Sequence, residues 1–224
     1  MKRISDPVLK DRYIQQHHLQ NHIPTAILDA LELRRYETGE YIYRQGEEVR
    51  TFYILVDGKL QIDFLHRNGD QAVLSLSEPP TAIGDLEIFA DFPTVRNVLV
   101  LQASTLFAGA MDVIREYGKE DPRFLRFLLN QVIRKLEFSS NLLTHTRLPL
   151  ESRLARYLLV QSQRRGAILT LEKREVLAGI LGTSVRHLNR VLKSLAEAGI
   201  ISIRYRTLEI INSVKLTNIL NEPS

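Results

Sequence analysis

The chain has 224 residues, 44% hydrophobic and 25% charged, with a formal charge of +4 and no cysteine. This composition excludes a disordered chain, and the missing thiols exclude disulfides, thiolate metal sites, Cys-ligated iron–sulfur clusters and thiol redox sensing. No run approaches the ~18–20 unbroken apolar residues of a membrane span, and Met1-Lys2-Arg3-Ile4-Ser5-Asp6 lacks an apolar leader core, so a cytoplasmic protein with no membrane partner is expected.

The leading segment, roughly Pro7 to Leu33, has mixed helical spacing and predicts a short helical lead-in. From about Tyr36 to Ala108 the text becomes short β-type runs: Tyr41–Tyr43, Phe52–Val56, Leu60–Phe64, Val73–Leu76, Val98–Leu101 and Thr105–Phe107. Thr38-Gly39, Gln45-Gly46, Asp57-Gly58 and Asn68-Gly69 separate them, dipeptides that accept the positive φ of tight turns. The pattern predicts an antiparallel roll or jelly-roll barrel.

After Asp121-Pro122 the spacing turns helical, with no Gly or Pro before Pro149. Leu125, Leu129, Val132, Leu136, Ser139 and Leu143 alternate steps of four and three, the seam of a coiled coil. At ~1.5 Å per residue such a helix spans about 35–40 Å, more than one barrel covers, so a symmetric partner helix is its natural cover. A lone helix folded back on its own barrel is the plainer alternative. Pro149 ends this stretch, and a new amphipathic helix runs from Leu150 to about Gln163, closing at Arg164-Arg165-Gly166. The domain boundary is therefore placed at residues 146–150, giving a roll domain at 1–121, a dimerisation helix at 122–147 and a C-terminal domain at 148–224.

That last domain holds the basic excess: twelve Lys and Arg against six acidic residues, leaving 18 against 20 for the rest. Asymmetry of this kind suits a two-part protein of which one part meets a polyanion. Glu175 to Lys193 reads as a helix-turn-helix. Leu177, Leu181, Leu188 and Val191 are apolar where two helices share a core, Ala178 is small where they touch, and Gly182 sits in the turn. Thr183 or Ser184 would cap the second helix, which runs to Glu197. Ser184, Arg186, His187, Asn189 and Arg190 are left over from packing, flanked by Thr183 and Lys193, and all suit base edges or phosphates of duplex DNA. Ile200 to Ile211 then reads as two β-runs about a basic, aromatic tip, a hairpin wing whose Arg204 and Arg206 would meet phosphates.

Taken in order, a glycine-punctuated roll, a long seam helix, a hinge and a winged helix-turn-helix resemble the Crp/Fnr family of bacterial regulators over essentially the whole chain. Tyr43-Arg44-Gln45-Gly46-Glu47 and Phe52–Gly58 resemble the family's barrel opening, and Ile83–Phe89 followed by Arg96 resembles its phosphate-binding cassette. The resemblance implies an α+β fold and a DNA-binding homodimer on a near-palindromic operator. RNA polymerase would be a further partner of an activator. It also implies an effector site at Gly84, Asp85, Leu86, Arg96 and Asn97, with Ser139 and Ser140 presenting hydroxyls to a base.

A cyclic nucleotide is the implied ligand class, but the cassette departs from the cAMP pattern. Asp85 stands for a glutamate, Glu87 for a small residue near the phosphate, Asn97 for a small hydroxyl residue, and the loop at Phe92-Pro93 is one residue longer. Arg186 replaces a common glutamate of the reading helix, while Pro149–Ala155 and Val185–Leu188 resemble the YeiL-like branch. No enzyme is expected. Metal-dependent barrel chemistry needs clustered ligands, whereas His17, His18, His22, His66, His145 and His187 are scattered, with one in the roll. The rival reading is a nucleotide-sensing subunit whose winged helix binds protein instead of DNA.

Overall fold

In the computed structural model, which describes residues 1–65, 71–89, 92–143 and 148–220, the chain divides into two units, Met1–Ser139 and Ser140–Ser224. The division falls inside the long helix. Of the hinge expected at 146–150, residues 146 and 147 lie outside the described residues.

The first unit opens with β1 (Lys2–Ile4), α1 (Pro7–Gln16), a 3-10 turn (Leu19–Asn21) and α2 (Thr25–Ala30). Asp6 caps α1 by accepting the Leu9 amide, with Pro7 as the first helical residue. The roll follows: β2 (Glu32–Tyr36), β3 (Tyr41–Tyr43), β4 (Thr51–Leu65), β5 (Gln71–Ser77), β6 (Thr81–Ile83) and β7 (Asn97–Ala110). These strands pair antiparallel in the order β1-β2-β7-β4-β5, with β3 on β7 and β6 on β4. The lead-in is thus not purely helical: β1 and β2 were not anticipated, and the roll starts at Glu32.

Asp57-Gly58 is not a turn either. Phe52–Val56 and Leu60–Phe64 are one strand, β4, and the runs at 98–101 and 105–107 are one strand, β7, facing it. Between them the register slips around Asp57 and Lys59. Gly58, at φ +98°, lies so close to β7 that a Cβ would sit 2.3 Å from Ser104 Oγ, and that hydroxyl accepts the Lys59 amide at 3.1 Å. This bulge changes the parity of the strand. Before it the odd-numbered Tyr53 and Leu55 face the roll interior; after it the even-numbered Leu60 and Ile62 do, and all four join Tyr36, Tyr43, Val98, Val100 and Leu106 in one core. Without the extra residue one half of β4 would turn its apolar side outward.

The other face of β4, through Phe52, Ile54 and Val56, packs with Leu19, Ile23, Ile27, Ile114, Phe124 and Phe127 into a helix-covered core. Ile114 comes from α3 (Met111–Gly118), and Phe124 and Phe127 from α4 (Pro122–Leu143). Asp121 starts α4 by accepting the amides of Phe124 and Arg123, both at 2.9 Å.

In the second unit Pro149 stands at the N-cap of α5 (Leu150–Arg165) and Gly166 at its C-cap. β8 (Ile168–Thr170), α6 (Arg174–Ile180), α7 (Val185–Glu197), β9 (Ile201–Arg204), β10 (Thr207–Ile210) and α8 (Ser213–Asn218) complete it. The wing is a three-stranded sheet, β8-β10-β9, one strand more than the sequence indicated. One core joins Leu150, Leu154 and Leu158 of α5 to Leu177, Leu188, Val191, Leu208 and Leu216. No helix among the described residues is long and apolar enough to cross a membrane.

Candidate nucleic-acid interface and effector cassette

α7 has a wide apolar stripe, and Leu188, Val191, Leu192 and Leu195 on it are buried. Ser184 caps the helix, its Oγ accepting the His187 amide at 3.2 Å. Gly182 makes the turn at φ +57°, a conformation costly for residues with a Cβ. The opposite face exposes Ser184, Arg186, Asn189, Arg190 and Lys193. His187 is half-buried, with Nδ1 3.4 Å from Thr183 Oγ1, so these two engage each other. Lys193 pairs with Glu197 at 3.6 Å on the surface.

A residue the sequence did not single out holds this corner. Arg153 of α5 donates through Nη1 to the carbonyl of Leu181 and, at 3.5 Å, to that of Gly182. Burial lowers its pKa from the usual guanidinium value. The arginine thereby supplies donors to carbonyls that the end of α6 leaves without helical partners.

At the wing tip the two arginines differ in their contacts. Arg206 is committed: Nε and Nη2 both donate to the Leu171 carbonyl, at 3.2 and 3.1 Å, and the Leu171 amide returns a bond to Arg206 O at 2.7 Å. Arg204 stays exposed. Between them Tyr205 adopts φ +56° and is 94% exposed, an uncommon backbone for a bulky side chain. The sequence shows the aromatic tip, and the structure adds its left-handed backbone.

In the first unit the cassette residues meet partners from their own chain. Asp85, 4% exposed, accepts from Lys135 Nζ of α4 at 2.9 Å, and the same ammonium donates to Ala82 O at 2.7 Å. The second carboxylate oxygen, Oδ2, is buried without a hydrogen-bond partner. Gly84 turns the corner below Leu86 at φ +90°, against the hydroxyl of Tyr43, whose pKa is pushed up by burial. Arg96 is half-buried, and among the described residues its guanidinium meets no hydrogen-bond or ion-pair partner. Asn97 is occupied: it donates to Asp63 Oδ1 and accepts the Gln45 amide, both at 2.9 Å. Ser139 donates to the Leu74 carbonyl at 3.0 Å, and the side chain of Ser140 lies outside the described residues. Asn97 and Ser139 are thus both hydrogen-bonded to groups of the roll.

Along α4, Phe124, Phe127, Leu128 and Gln131 are buried. Leu125 and Val132 of the expected seam are half-buried, whereas Leu129 and Leu136 are 59% and 62% exposed. Ile133, absent from the heptad reading, extends the apolar stripe at 42% exposure. The side chain of Leu143 lies outside the described residues. Among the histidines, His17 Nε2 donates to Val56 O at 2.7 Å and His22 stacks on Phe127, while His66 and His145 lie outside the described residues.

Comparison with known proteins matches residues 33–121 to the cyclic nucleotide-binding domain and residues 152–219 to the Crp-like helix-turn-helix domain. The CRP-like cAMP-activated global transcriptional regulator of Mycobacterium tuberculosis is 24% identical over 201 residues, covering 85% of this chain and 89% of that protein. The c-di-GMP responsive global regulator CLP of Xanthomonas campestris shares the fold at a TM-score of 0.73, with 21% identity over 83% of this chain and 96% of that one. FixK2 of Bradyrhizobium japonicum does so at 0.72, with 17% identity over 87% and 99%.

Proposed function

Since the chain belongs to the Crp/Fnr family of DNA-binding transcription regulators, we propose that it works in the cytoplasm as a homodimer that sets two copies of α7 into successive major grooves of a near-palindromic operator, about 34 Å apart. The observation that carries this reading is the exposed polar face of α7 behind a serine cap. Arg186, Asn189 and Arg190 are the base-reading candidates, Ser184 and Lys193 serve bases or phosphates, and Thr183 with His187 steadies the helix start. On the wing, Arg204 meets phosphate while Arg206 braces the hairpin. Tyr205 joins the contact surface, presented by a backbone that would relax if the side chain had no task.

The roll is proposed to admit a nucleotide effector. Asp85 Oδ2, buried and unpartnered, suits a ribose hydroxyl, and Arg96 suits a phosphate. Asn97 and Ser139 would first have to leave their present partners. The likeness to the cAMP-activated and c-di-GMP responsive regulators supports the ligand class without selecting its member. Sequence details at Pro149–Ala155 and Val185–Leu188 support a place near the YeiL-like branch. Activation would bring RNA polymerase in as a further partner; repression would not.

The test is selection of duplex DNA from a random pool by the full-length protein, with and without cAMP and c-di-GMP. A two-fold symmetric site whose affinity falls steeply with salt is expected. No enrichment under any condition overturns the reading in favour of a winged helix that binds protein.

A further inference from the structure

A cleft of about 560 Å³ is lined by residues 48–50 just ahead of β4, by Met111, Asp112 and Arg115 of α3, and by the side chains of Glu87, Phe92 and Pro93. That volume lies within the roughly 300–1,000 Å³ of small-molecule sites. Its charges are unequally matched. Glu48 and Arg50 close on each other through two bonds of 3.0 and 2.7 Å. Arg115 is engaged, donating to the backbone carbonyl of Glu87 at 2.7 Å. Two carboxylates remain. Asp112, exposed in the first turn of α3, has no hydrogen bond or ion pair among the described residues. Glu87 lines the cleft while only 8% exposed, and among the described residues neither a cation nor a hydrogen-bond donor meets its carboxylate.

Glu87 therefore offers an unpaired carboxylate to the solvent of the cleft, where a cation or a donor could meet it. The rest of the wall is apolar: Met111 forms the buried floor, Pro93 one side, and the half-exposed ring of Phe92 the rim. An anion would face three acids against two arginines that already have partners. We propose that this cleft, which shares Glu87 with the cassette segment, binds a small amphipathic amine: an ammonium group held by Glu87 and Asp112, its stem laid on Met111 and Pro93, with the Phe92 ring beside the cation. The proposal does not depend on the DNA reading.

Isothermal titration of the full chain with n-hexylammonium, 1-hexanol and hexanoate tests it, because the three share a stem and differ in head-group charge. Saturable binding of hexylammonium, at least about tenfold tighter than either analogue and lost by about tenfold in Glu87→Gln, is expected. Asp112→Asn, an exposed position, keeps the test open if Glu87→Gln does not fold, and should weaken binding in the same direction. Absence of saturable hexylammonium binding, equal binding of the three probes, or affinity unchanged in the folded variants overturns the proposal.

Discussion

Replacing Leu136 by glutamate puts a charge at the C-terminal end of the exposed stripe of α4, where Leu136 is 62% exposed in the single chain. Full burial of a leucine side chain is worth about 1.5–3 kcal/mol. Covering the exposed part therefore recovers roughly 1–2 kcal/mol per protomer, and a two-fold interface counts it twice, about 2–4 kcal/mol. Losing that raises the dimer dissociation constant by about 30- to 700-fold. The paired carboxylates of the variant add repulsion, so the lower figure is a floor. Because Leu136 belongs to neither core of its unit, circular dichroism and monomer stability should not change. Sedimentation velocity over a concentration series is the assay, with Leu136→Ala expected between wild type and glutamate. A wild-type protein that stays monomeric, or a variant that dimerises with unchanged affinity, refutes the argument that this stripe is covered by a second copy.

Arg190→Ala, on the exposed face of α7, should cost about 1–3 kcal/mol in binding a selected operator while leaving stability unchanged, measured by fluorescence anisotropy; unaltered affinity removes Arg190 from the reading surface. Tyr205→Gly relieves the left-handed backbone at φ +56°, so the melting temperature should hold or rise slightly while DNA affinity drops. Loss of more than about 1 kcal/mol of stability would mean instead that the tip is structural. Arg153→Met keeps the stem but strips the donors from Leu181 O and Gly182 O, which should cost about 1–3 kcal/mol in urea unfolding, with no measurable loss as the refuting result. Asp121 accepts the Phe124 amide and also meets Arg123, which together hold its carboxyl below the usual carboxylate range. A group with a depressed folded pKa contributes stability at neutral pH that is lost as pH falls below about 4. The stability gap between wild type and Asp121→Ala should therefore close on acidification, and a gap constant with pH rejects this cap.

What could be read from the sequence was local. The helix-turn-helix was legible because Ser184, Gly182 and the spacing of Leu177, Leu181, Leu188 and Val191 each act within a turn or two of chain. The roll was legible as a class, but not in its strand count. Asp57-Gly58 has the chemistry of a turn, and only the opposing Ser104, 46 residues on from Gly58, makes it a bulge. β1 and β2 were missed because Arg34 and Arg35 interrupt any alternation, although Leu33 and Tyr36 are buried. The candidate site was harder still. Asn97, Ser139 and Arg206 all have suitable chemistry, and each is also hydrogen-bonded to a partner distant in sequence: Asp63, Leu74 and Leu171. Residue type states what a side chain could bind; it does not state who reaches it first.

The two faces of α4 bring the roll and the proposed dimer onto one rigid element. Lys135 and Ser139, four residues apart, lie on the face that reaches Asp85 and the Leu74 carbonyl. Leu129, Ile133 and Leu136, spaced by four and three, form the exposed stripe; at about 100° per residue Ile133 lies some 200° around from Lys135. A ligand hydroxyl that used Asp85 Oδ2 would compete for the same carboxylate that Lys135 neutralises, and a phosphate brought nearby would draw on the same ammonium. Either change alters the force on α4 directly, through a buried ion pair and not through a surface loop. If an effector binds at the cassette, it would shift the position of this one helix only by as much as its contacts differ between the two placements.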